Sequence, residues 1–404
     1  MREWRNNYGI DVLQNDVDAA WELPDWLTPA ATAPVQGFHR SMAAYAQTPL
    51  LRLDELAHRG GVSAVYVKNE AERFGLNAFK ALGSSFAIGQ EVCRRLGLDI
   101  ARHGMADILD PRWRDQVAGL TFATATDGNH GRGVAWTAQL LGCRAFVYMP
   151  RGTEPERVEA IRALGATVTV TDVSYDETVA LAAAEAAANG WVLVQDTSFA
   201  GYEDIPKAII QGYSTIAAEV ADELRAQGKA PTHIFLQAGV GSMAGGLAAC
   251  YLQEFAAAEP KIVILEPKDV ACCYLSARAG ENVSVGGVQQ TIMAGLNCGT
   301  PCPLIMPILQ QRAEFFLACP DFVAAHGMRL AEHPLGDDPH FVSGESGAIG
   351  LGTAALLLQR PELAEVRAAM GIDESSVLLV LNTEGAMAPS VWRRVVQEGE
   401  YPLP

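Results

Sequence analysis

Short runs of apolar and β-branched residues alternate along the chain with longer segments in which apolar residues recur at helical spacing. Eight runs have the length and composition of strands: VSAVYVKN, LTFAT, CRAFVYMP, TVTVTDV, WVLVQDT, THIFLQAG, KIVILEP and SSVLLVLNTEG. Strands that alternate with helices build βαβ units, in which neighbouring strands are parallel. The pattern therefore predicts an α/β protein with a mainly parallel sheet.

Three helical segments between these runs are marked by their composition or end residues. PERVEAIRALGA has Pro155 near its start and Gly165 near its end, which is the usual asymmetry of a helix. DETVALAAAEAAANG has Asp176 as a candidate N-cap and stops at Asn189-Gly190. PKAIIQGYSTIAAEVADELRAQG is a longer amphipathic stretch. These segments supply the helices that the α/β pattern requires.

The length of 404 residues predicts two domains, since a domain has about 150 residues. No internal repeat or low-complexity linker marks a boundary. The order of the runs predicts a small domain at residues 92–213, inserted in a large domain made of residues 1–91 and 214–404.

Composition limits the classes of partner. Apolar residues make up 49% of the chain and charged residues 19%, so a large core is available. The net charge of −17 argues against nucleic acid, whose binding requires a clustered cationic surface, and against an anionic membrane surface. We therefore expect a small-molecule partner.

Cellular location is predicted from three further features. The first residues, MREWRNNYGIDV, contain no apolar segment typical of a secretory signal. The uncharged run at residues 234–253 is long enough to span a bilayer, but its glycines and glutamines favour a strand, a loop and a helix of a soluble core. The eight cysteines show no zinc-ligand spacing. We expect a reduced cytoplasmic protein without a metal site.

The segment THIFLQAGVGSMAGGLAACYL predicts a strand, a glycine loop and a helix. Gly239-x-Gly241-x-x-Ala244 fits the dinucleotide-binding fingerprint, and Glu266 ends the next strand, where an acid could bind a ribose. Backbone N–H groups at the start of a helix also attract other phosphates. An NAD site, a different phosphate site and a tight structural turn all remain open at this point.

Four segments together favour a cofactor with a single phosphate. Such a cofactor needs a lysine that binds it covalently, a phosphate loop, a polar turn for the substrate carboxylate and a partner for its ring nitrogen. Lys80 in RFGLNAFKALGSS is the candidate lysine, TATDGNHGRG is the polar turn, and GVGSMAGG is the phosphate loop. LVLNTEG ends a late strand with Asn382 and Thr383.

These motifs occur in an order that resembles the fold-type II pyridoxal-phosphate enzymes, the group of threonine dehydratase and tryptophan synthase β. Within that group the chain resembles the diaminopropionate ammonia-lyase family in RFGLNAFKALG, TDGNHGRGVAW, YMPRG, VQDTSFAGY, QAGVGSMAGG, IMAGLNCG and SGESGAIGLG. The similarity covers about residues 40 to 390. It implies two mainly parallel, three-layer α/β domains with pyridoxal 5′-phosphate in the cleft between them, and a homodimer.

The resemblance also implies roles for individual residues. Lys80 would bind the cofactor covalently, Asn129 would bond its ring hydroxyl, and Thr383, or less favourably Asn382, would face its ring nitrogen. A neutral hydroxyl there leaves that nitrogen largely unprotonated, which suits β-elimination. Desolvation would favour the neutral amine of the lysine. The remaining cofactor residues would be Phe79, Gly239, Val240, Gly241, Ser242 and Met243, and the substrate carboxylate would be bound by Thr126, Gly128 and His130.

Two aspartates distinguish this chain from general dehydratases. Those enzymes have a small neutral residue at the position of Asp127, because a carboxylate there would repel the substrate carboxylate. A substrate with a second ammonium group would pair with Asp127; alternatively, Asp127 only stabilises the turn. Asp196 follows the strand WVLVQ, where it is either a site residue or a turn initiator. The resemblance implies that Asp127 is the base for the D-substrate and Asp196 for the L-substrate, with Lys80 as a third proton carrier.

The sequence thus predicts an ammonia-lyase that eliminates 2,3-diaminopropionate, D, L or both, to pyruvate and two ammonia. The alternative with the same cofactor is a serine, threonine or other hydroxy-amino-acid dehydratase. The alternatives from other classes are an NAD-dependent oxidoreductase and a non-catalytic nucleotide-binding module.

Overall fold

The computed structural model describes residues 1–6, 8–18, 20–286 and 291–404. Its strands are β1 Arg2–Arg5, β2 Asp11–Gln14, β3 Leu50–Arg52, β4 Ala64–Asn69, β5 Thr121–Ala125, β6 Arg144–Met149, β7 Thr167–Val170, β8 Val192–Leu193, β9 His233–Gln237, β10 Lys261–Pro267, β11 Phe315–Cys319 and β12 Val377–Asn382. Its α-helices are α1 Pro29–Arg40, α2 Asp54–Gly60, α3 Ala81–Leu96, α4 Met105–Ile108, α5 Arg114–Ala118, α6 Asn129–Leu141, α7 Pro155–Arg162, α8 Tyr175–Asn189, α9 Asp204–Gly212, α10 Ser214–Ala226, α11 Ser242–Glu254, α12 Cys272–Ala279, α13 Met306–Arg312, α14 Asp321–Glu332, α15 Glu345–Gln359, α16 Ala364–Met370 and α17 Pro389–Val396.

The chain divides into two compact units. Unit 1 consists of Met1–Leu23, Thr48–Glu72 and Ile216–Pro404, and unit 2 of Pro24–Gln47 and Arg73–Thr215. The segment predicted as an inserted domain, residues 92–213, lies within unit 2. Unit 2 also contains residues 24–47 and 73–91, because helices α1 and α3 pack against α9. The boundaries of the predicted domains stay a prediction.

Unit 1 contains a sheet in the order β1-β2-β11-β10-β9-β12-β4-β3. The strands from β11 to β4 pair in parallel, and β2 and β3 add to them antiparallel at the two sides. Every residue of β4, β9, β11 and β12 is buried. Strands buried on both faces require a layer of helices on each side. The predicted α/β class with a mainly parallel sheet is confirmed.

Unit 2 contains a smaller sheet in the order β7-β6-β5-β8, and all its pairs are parallel. Strand β5 is buried throughout, whereas β7 at the edge is mostly exposed. The ends of β5 and β8 lie next to each other, because these strands pair through Phe122 with Val192 and Ala123 with Leu193. The residues that follow the two strands therefore meet at one edge of the sheet.

Two helix predictions need correction. The N-cap of α8 is Ser174 and not Asp176, because Ser174 forms a capping box with Glu177. The amphipathic stretch from residue 206 forms two helices, α9 and α10, with Tyr213 between them. The uncharged run at residues 234–253 forms β9, the glycine loop and most of α11, as predicted. No helix in the described ranges is long and apolar enough to cross a membrane.

Helix α9 approaches α3 closely where both carry a glycine. A Cβ atom added at Gly212 would lie 2.6 Å from the carbonyl oxygen of Leu82 and 2.7 Å from the Cα of Gly83. Both of those atoms belong to the backbone, so they cannot rotate away. The contact fixes the end of α9 against the first turn of α3, the helix that follows Lys80.

We expect Gly212→Ala to destabilise the protein by about 1–3 kcal/mol, because the added methyl group must push two helices apart. Gly37→Ala is the matched control: Gly37 is exposed in α1, and its added Cβ would meet nothing within 4 Å. This control should be neutral or more stable by about 0.5–1 kcal/mol. Thermal unfolding of both variants tests the prediction, and an equal midpoint for the two would contradict it.

Candidate active site

Lys80 lies at the start of α3, after a loop with unusual backbone geometry. Phe74, Gly75 and Asn77 have φ angles of 53°, 69° and 61°. Left-handed conformations are costly for a bulky residue such as Phe74. Its ring stacks on Trp136 of α6, with the ring centroids 5.0 Å apart. The loop is thus held by aromatic packing, and it directs Lys80 to the edge of the smaller sheet.

Lys80 forms an ion pair with Asp196. The Nζ atom lies 2.5 Å from Oδ2, and the two side chains are 17% and 4% exposed. Burial alone would lower the pKa of Lys80, but the negative charge of Asp196, with smaller contributions from Tyr213 and Asp127, raises it. Burial alone would raise the pKa of Asp196, but the charge of Lys80 lowers it to about 2. Desolvation thus favours the neutral amine, as expected, but the charge of Asp196 outweighs it and favours the protonated form of Lys80 in this structure.

His130 is the third member of this group. Its Nε2 atom lies 2.7 Å from the carbonyl oxygen of Val194, which can only accept, so Nε2 carries the proton. Burial lowers the pKa of His130, so the ring is neutral and Nδ1 is an acceptor. Nδ1 lies 3.9 Å from Oδ2 of Asp196. The His130 ring thus faces Asp196, and its predicted contact with a substrate carboxylate would use its backbone N–H.

The predicted carboxylate turn joins β5 to α6. The hydroxyl of Thr126 accepts from the N–H groups of Gly128 and Gly131, at 2.9 and 3.0 Å. Asn129 and His130 are the first residues of α6, where backbone N–H groups have no partner within the helix and favour an anion. Asp127 is half-buried at the same turn. This arrangement can bind a carboxylate through backbone groups while Asp127 faces another charge.

Two residues near these side chains were missed by the sequence reasoning. Tyr213 is buried, and its ring lies 4.9 Å from that of Phe79. Burial raises the pKa of Tyr213, so its phenol is neutral. The side chain of Arg157, 1% exposed, packs against Gly128. Neither the amphipathic stretch that contains Tyr213 nor the spacing of PERVEAIR marked these two residues.

The glycine loop of unit 1 connects β9 to α11. Gly241 is the N-cap of α11 and has a φ of 89°, which suits glycine. The N–H of Cys302 donates to the carbonyl oxygen of Val240 at 2.7 Å, which fixes one side of the loop. Ser242 and Met243, both buried, begin the helix. Because the first N–H groups of a helix lack partners within it, this loop suits a phosphate.

Asn382 is the last residue of β12 and Thr383 follows it; the two side chains differ in their hydrogen bonds. The Asn382 amide bonds to Asn69 at 2.8 Å and to the carbonyl oxygen of Val342 at 3.0 Å, and its oxygen accepts from Ser343 at 2.7 Å. Thr383 Oγ1 accepts from Gln237 at 3.1 Å and keeps its own hydrogen to donate. The geometry favours Thr383 as the partner of a ring nitrogen.

Glu266, the candidate ribose acid of the NAD alternative, has a different role. Its two oxygens accept from the N–H groups of Cys273 and Tyr274 at 2.8 and 2.7 Å, so it caps α12. Burial raises its pKa to about 8. The donor atoms of Glu266, Cys272 and Cys273 lie within 4.8 Å of one another, a spacing that a metal ion could use. Both carboxylate oxygens are already occupied by the helix.

Comparison with known proteins places this geometry in a family. Residues 42–372 match the pyridoxal-phosphate dependent enzymes. The chain is 46% identical to the diaminopropionate ammonia-lyase of Escherichia coli K12 over 364 residues, which are 90% of each chain. It is 42% identical to that of Salmonella typhimurium LT2 over 369 residues, 90% of this chain and 91% of the relative. The chain belongs to the diaminopropionate ammonia-lyase family of pyridoxal-phosphate dependent enzymes.

A solved structure agrees with this membership. The Escherichia coli diaminopropionate ammonia-lyase in complex with an aminoacrylate–PLP azomethine reaction intermediate superposes with a TM-score of 0.92 at 42% identity. The match covers 99% of this chain and 100% of that chain. The predicted fold-type II class is confirmed.

The residues of the chain fit the cofactor of the family. Lys80 offers a partly exposed amine, the Gly241 loop offers the start of a helix for a phosphate, and Thr383 offers a hydroxyl hydrogen. An amine, a phosphate-binding helix start and a hydroxyl donor are the groups that pyridoxal phosphate needs. The role of each residue toward the cofactor stays a prediction.

We expect Asp196→Asn to lower the pKa of Lys80, because burial then acts without its largest opposing charge. In the cofactor-free protein, the pH dependence of Lys80 modification by an amine reagent, followed by peptide mass spectrometry, measures this pKa. The variant should react at lower pH than the wild type. An unchanged pH dependence would show that Asp196 does not hold the proton on Lys80.

Proposed function

We propose that this protein catalyses the pyridoxal-phosphate dependent α,β-elimination of 2,3-diaminopropionate, of the D enantiomer, the L enantiomer or both. The products are pyruvate and two ammonia, and one water is consumed. The observation that carries the proposal is the pair of carboxylates, Asp196 and Asp127, whose charges act on one lysine amine. Family membership supports both the reaction and the cofactor.

The turn at residues 126–130 is assigned to substrate recognition. Backbone N–H groups at the start of α6 bind the substrate carboxylate, and the hydroxyl of Thr126 keeps the turn in shape. The carboxylate of Asp127 then pairs with the second ammonium group of the substrate. This pairing compensates for the repulsion that a carboxylate would otherwise cause at this position.

The cofactor is assigned to Lys80, Phe79, Asn129, Thr383 and the loop of Gly239, Val240, Gly241, Ser242 and Met243. When bound, pyridoxal phosphate supplies the electron sink that stabilises negative charge at the substrate Cα. Lys80 holds it covalently, and the hydroxyl of Thr383 faces its ring nitrogen. Asn129 bonds its ring hydroxyl.

Proton transfer is assigned to Asp127 for the D-substrate, Asp196 for the L-substrate and Lys80 as a third carrier. Asp196 is a poor base while Lys80 is charged, because that charge keeps its pKa at about 2. Once Lys80 loses its positive charge, burial dominates and the pKa of Asp196 rises. The base therefore becomes competent only when Lys80 is no longer an ammonium. Nδ1 of His130, 3.9 Å from Oδ2, is the acceptor that faces the protonated carboxyl group.

The rivals are less well supported. A hydroxy-amino-acid dehydratase does not need the charge of Asp127, and an NAD enzyme would need Glu266, which caps a helix. The proposal also includes a homodimer, which rests on the resemblance, and a cytoplasmic location, which rests on the expectation from the sequence.

The cofactor assignment predicts a yellow purified protein. Reduction with borohydride should fix the cofactor on one lysine, and mass spectrometry should find the added mass on the peptide that contains Lys80. Lys80→Ala should give a colourless protein, whereas Lys207→Ala, which removes an exposed ion pair on α9, should remain yellow. Label on another lysine, or on none, would refute the assignment.

The substrate assignment predicts that Asp127→Ser lowers turnover of D-diaminopropionate by about 100-fold or more, because a positioned base contributes about 10²–10⁴. Elimination of L-serine, which needs neither the base for the D-substrate nor a partner for a second ammonium group, should change by less than about tenfold. Turnover of L-diaminopropionate should fall less than that of the D-enantiomer. Pyruvate and ammonia release with both diaminopropionate enantiomers and with L-serine measures the effect. Asp115→Asn, at an exposed position of α5, is the control. Equal losses on D-diaminopropionate and L-serine would favour the dehydratase.

A further inference from the structure

The hydrogen-bond ladder of the smaller sheet ends in an unusual way beside Asp196. The N–H of Val194 donates to Ala123 at 2.8 Å, so the next bond of a parallel ladder would join Ala125 N to Val194 O. Instead, Ala125 N donates to the side-chain oxygen of Gln195 at 2.9 Å. The carbonyl oxygen of Val194 accepts from His130 at 2.7 Å. The side-chain oxygen of Gln195 thus takes the place of a backbone carbonyl oxygen in the ladder. The carbonyl oxygen of Val194, which the ladder does not use, accepts from His130 instead.

The amide of Gln195 can have only one orientation. It is fully buried, and its Oε1 accepts from Ala125 N and from the hydroxyl of Thr124, at 2.9 and 3.2 Å. Since a backbone N–H cannot accept, Oε1 must point toward it, and Nε2 must point the other way. Nε2 donates to Oδ1 of Asp196 at 3.3 Å and to the phenol oxygen of Tyr175 at 3.1 Å. The amide thus connects β5 and α8 to one oxygen of the carboxylate.

This bond leaves the other carboxylate oxygen for the chemistry. With Oδ1 of Asp196 held by Gln195, Oδ2 faces the amine of Lys80 at 2.5 Å and Nδ1 of His130 at 3.9 Å. Without a hydrogen bond to Oδ1, the carboxylate of Asp196 could rotate and place either oxygen next to Lys80. We propose that Gln195 is the positioning residue of the base Asp196 and thereby determines how well the enzyme uses the L-substrate.

The inference rests on the proposed function, because it assigns Asp196 to the L-enantiomer and Asp127 to the D-enantiomer. Gln195 bonds the carboxylate of Asp196 directly, whereas toward Asp127 it bonds only Thr124 and Ala125, at the end of β5. Its loss should therefore change turnover of the L-enantiomer more than that of the D-enantiomer. General damage to the fold or to cofactor binding would affect both enantiomers alike.

The test compares Gln195→Met with wild-type holoenzyme. We expect kcat for L-diaminopropionate to fall by about 100-fold, the effect of a base misplaced by about 1 Å, and KM to change little. Turnover of the D-enantiomer should change by less than about threefold. The acid limb of the L-profile should move to higher pH, because a carboxylate that loses a donor is protonated more easily.

A second readout does not depend on the reaction. In the cofactor-free protein, a loosened Asp196 holds the proton on Lys80 less well, so Lys80 should be modified by the amine reagent at lower pH in Gln195→Met. Tyr175→Phe removes only the phenol oxygen that Gln195 contacts, and it should give a smaller loss, about fivefold, with the same selectivity for L. Tyr175→Phe tests the proposal if Gln195→Met does not fold.

Gln211→Met is the matched control, because Gln211 donates one comparable bond, to the carbonyl oxygen of Trp26 at 2.7 Å, away from Asp196. It should leave the ratio of the two turnovers unchanged. Equal losses on both enantiomers in Gln195→Met, or an unchanged ratio, would overturn the role of Gln195 while the lyase assignment stands. A wild type that releases pyruvate from neither enantiomer would overturn both.

Discussion

The chemistry of this protein depends on one buried ion pair, Lys80 with Asp196. The pair is stable because each charge cancels the desolvation cost of the other, and the removal of one partner would leave an uncompensated buried charge. It also couples two functions. The charge of the lysine sets the proton affinity of the carboxylate. In the proposed function, the amine that would bind the cofactor therefore controls when the base could act.

The fold brings this pair together from distant parts of the chain. Lys80 is placed by a loop with three left-handed residues and by the stacking of Phe74 on Trp136. Asp196 is placed by the early end of β8, only two residues long, after which side chains continue the hydrogen bonding. A longer β8 would have used the carbonyl group of Val194 in the ladder. The short strand is therefore a requirement for the orientation of His130.

Most of the sheet framework could be predicted from the sequence, because buried parallel strands are continuous apolar runs. The strands β1, β2 and β3 were missed, since short antiparallel strands at the side of a sheet, such as REWR, carry charged residues. The apolar run FFLAC of β11 was also missed, although Pro320 and Asp321 follow it directly. The candidate lysine and aspartates were found through their motifs. Tyr213, Arg157 and the amide orientation of Gln195 could not be, because they depend on contacts between elements far apart in sequence.

The close approach of α9 to α3 at Gly212 and Gly83 has a consequence for engineering. Neither position has room for even a methyl group. The atoms that obstruct Gly212 are backbone, and those that obstruct Gly83 are the side chains of Tyr213 and Ile209 and the carbonyl oxygen of Ile209. A randomised library that aims to broaden the range of amino acids accepted near Lys80 would lose most of its folded members if it varied either glycine.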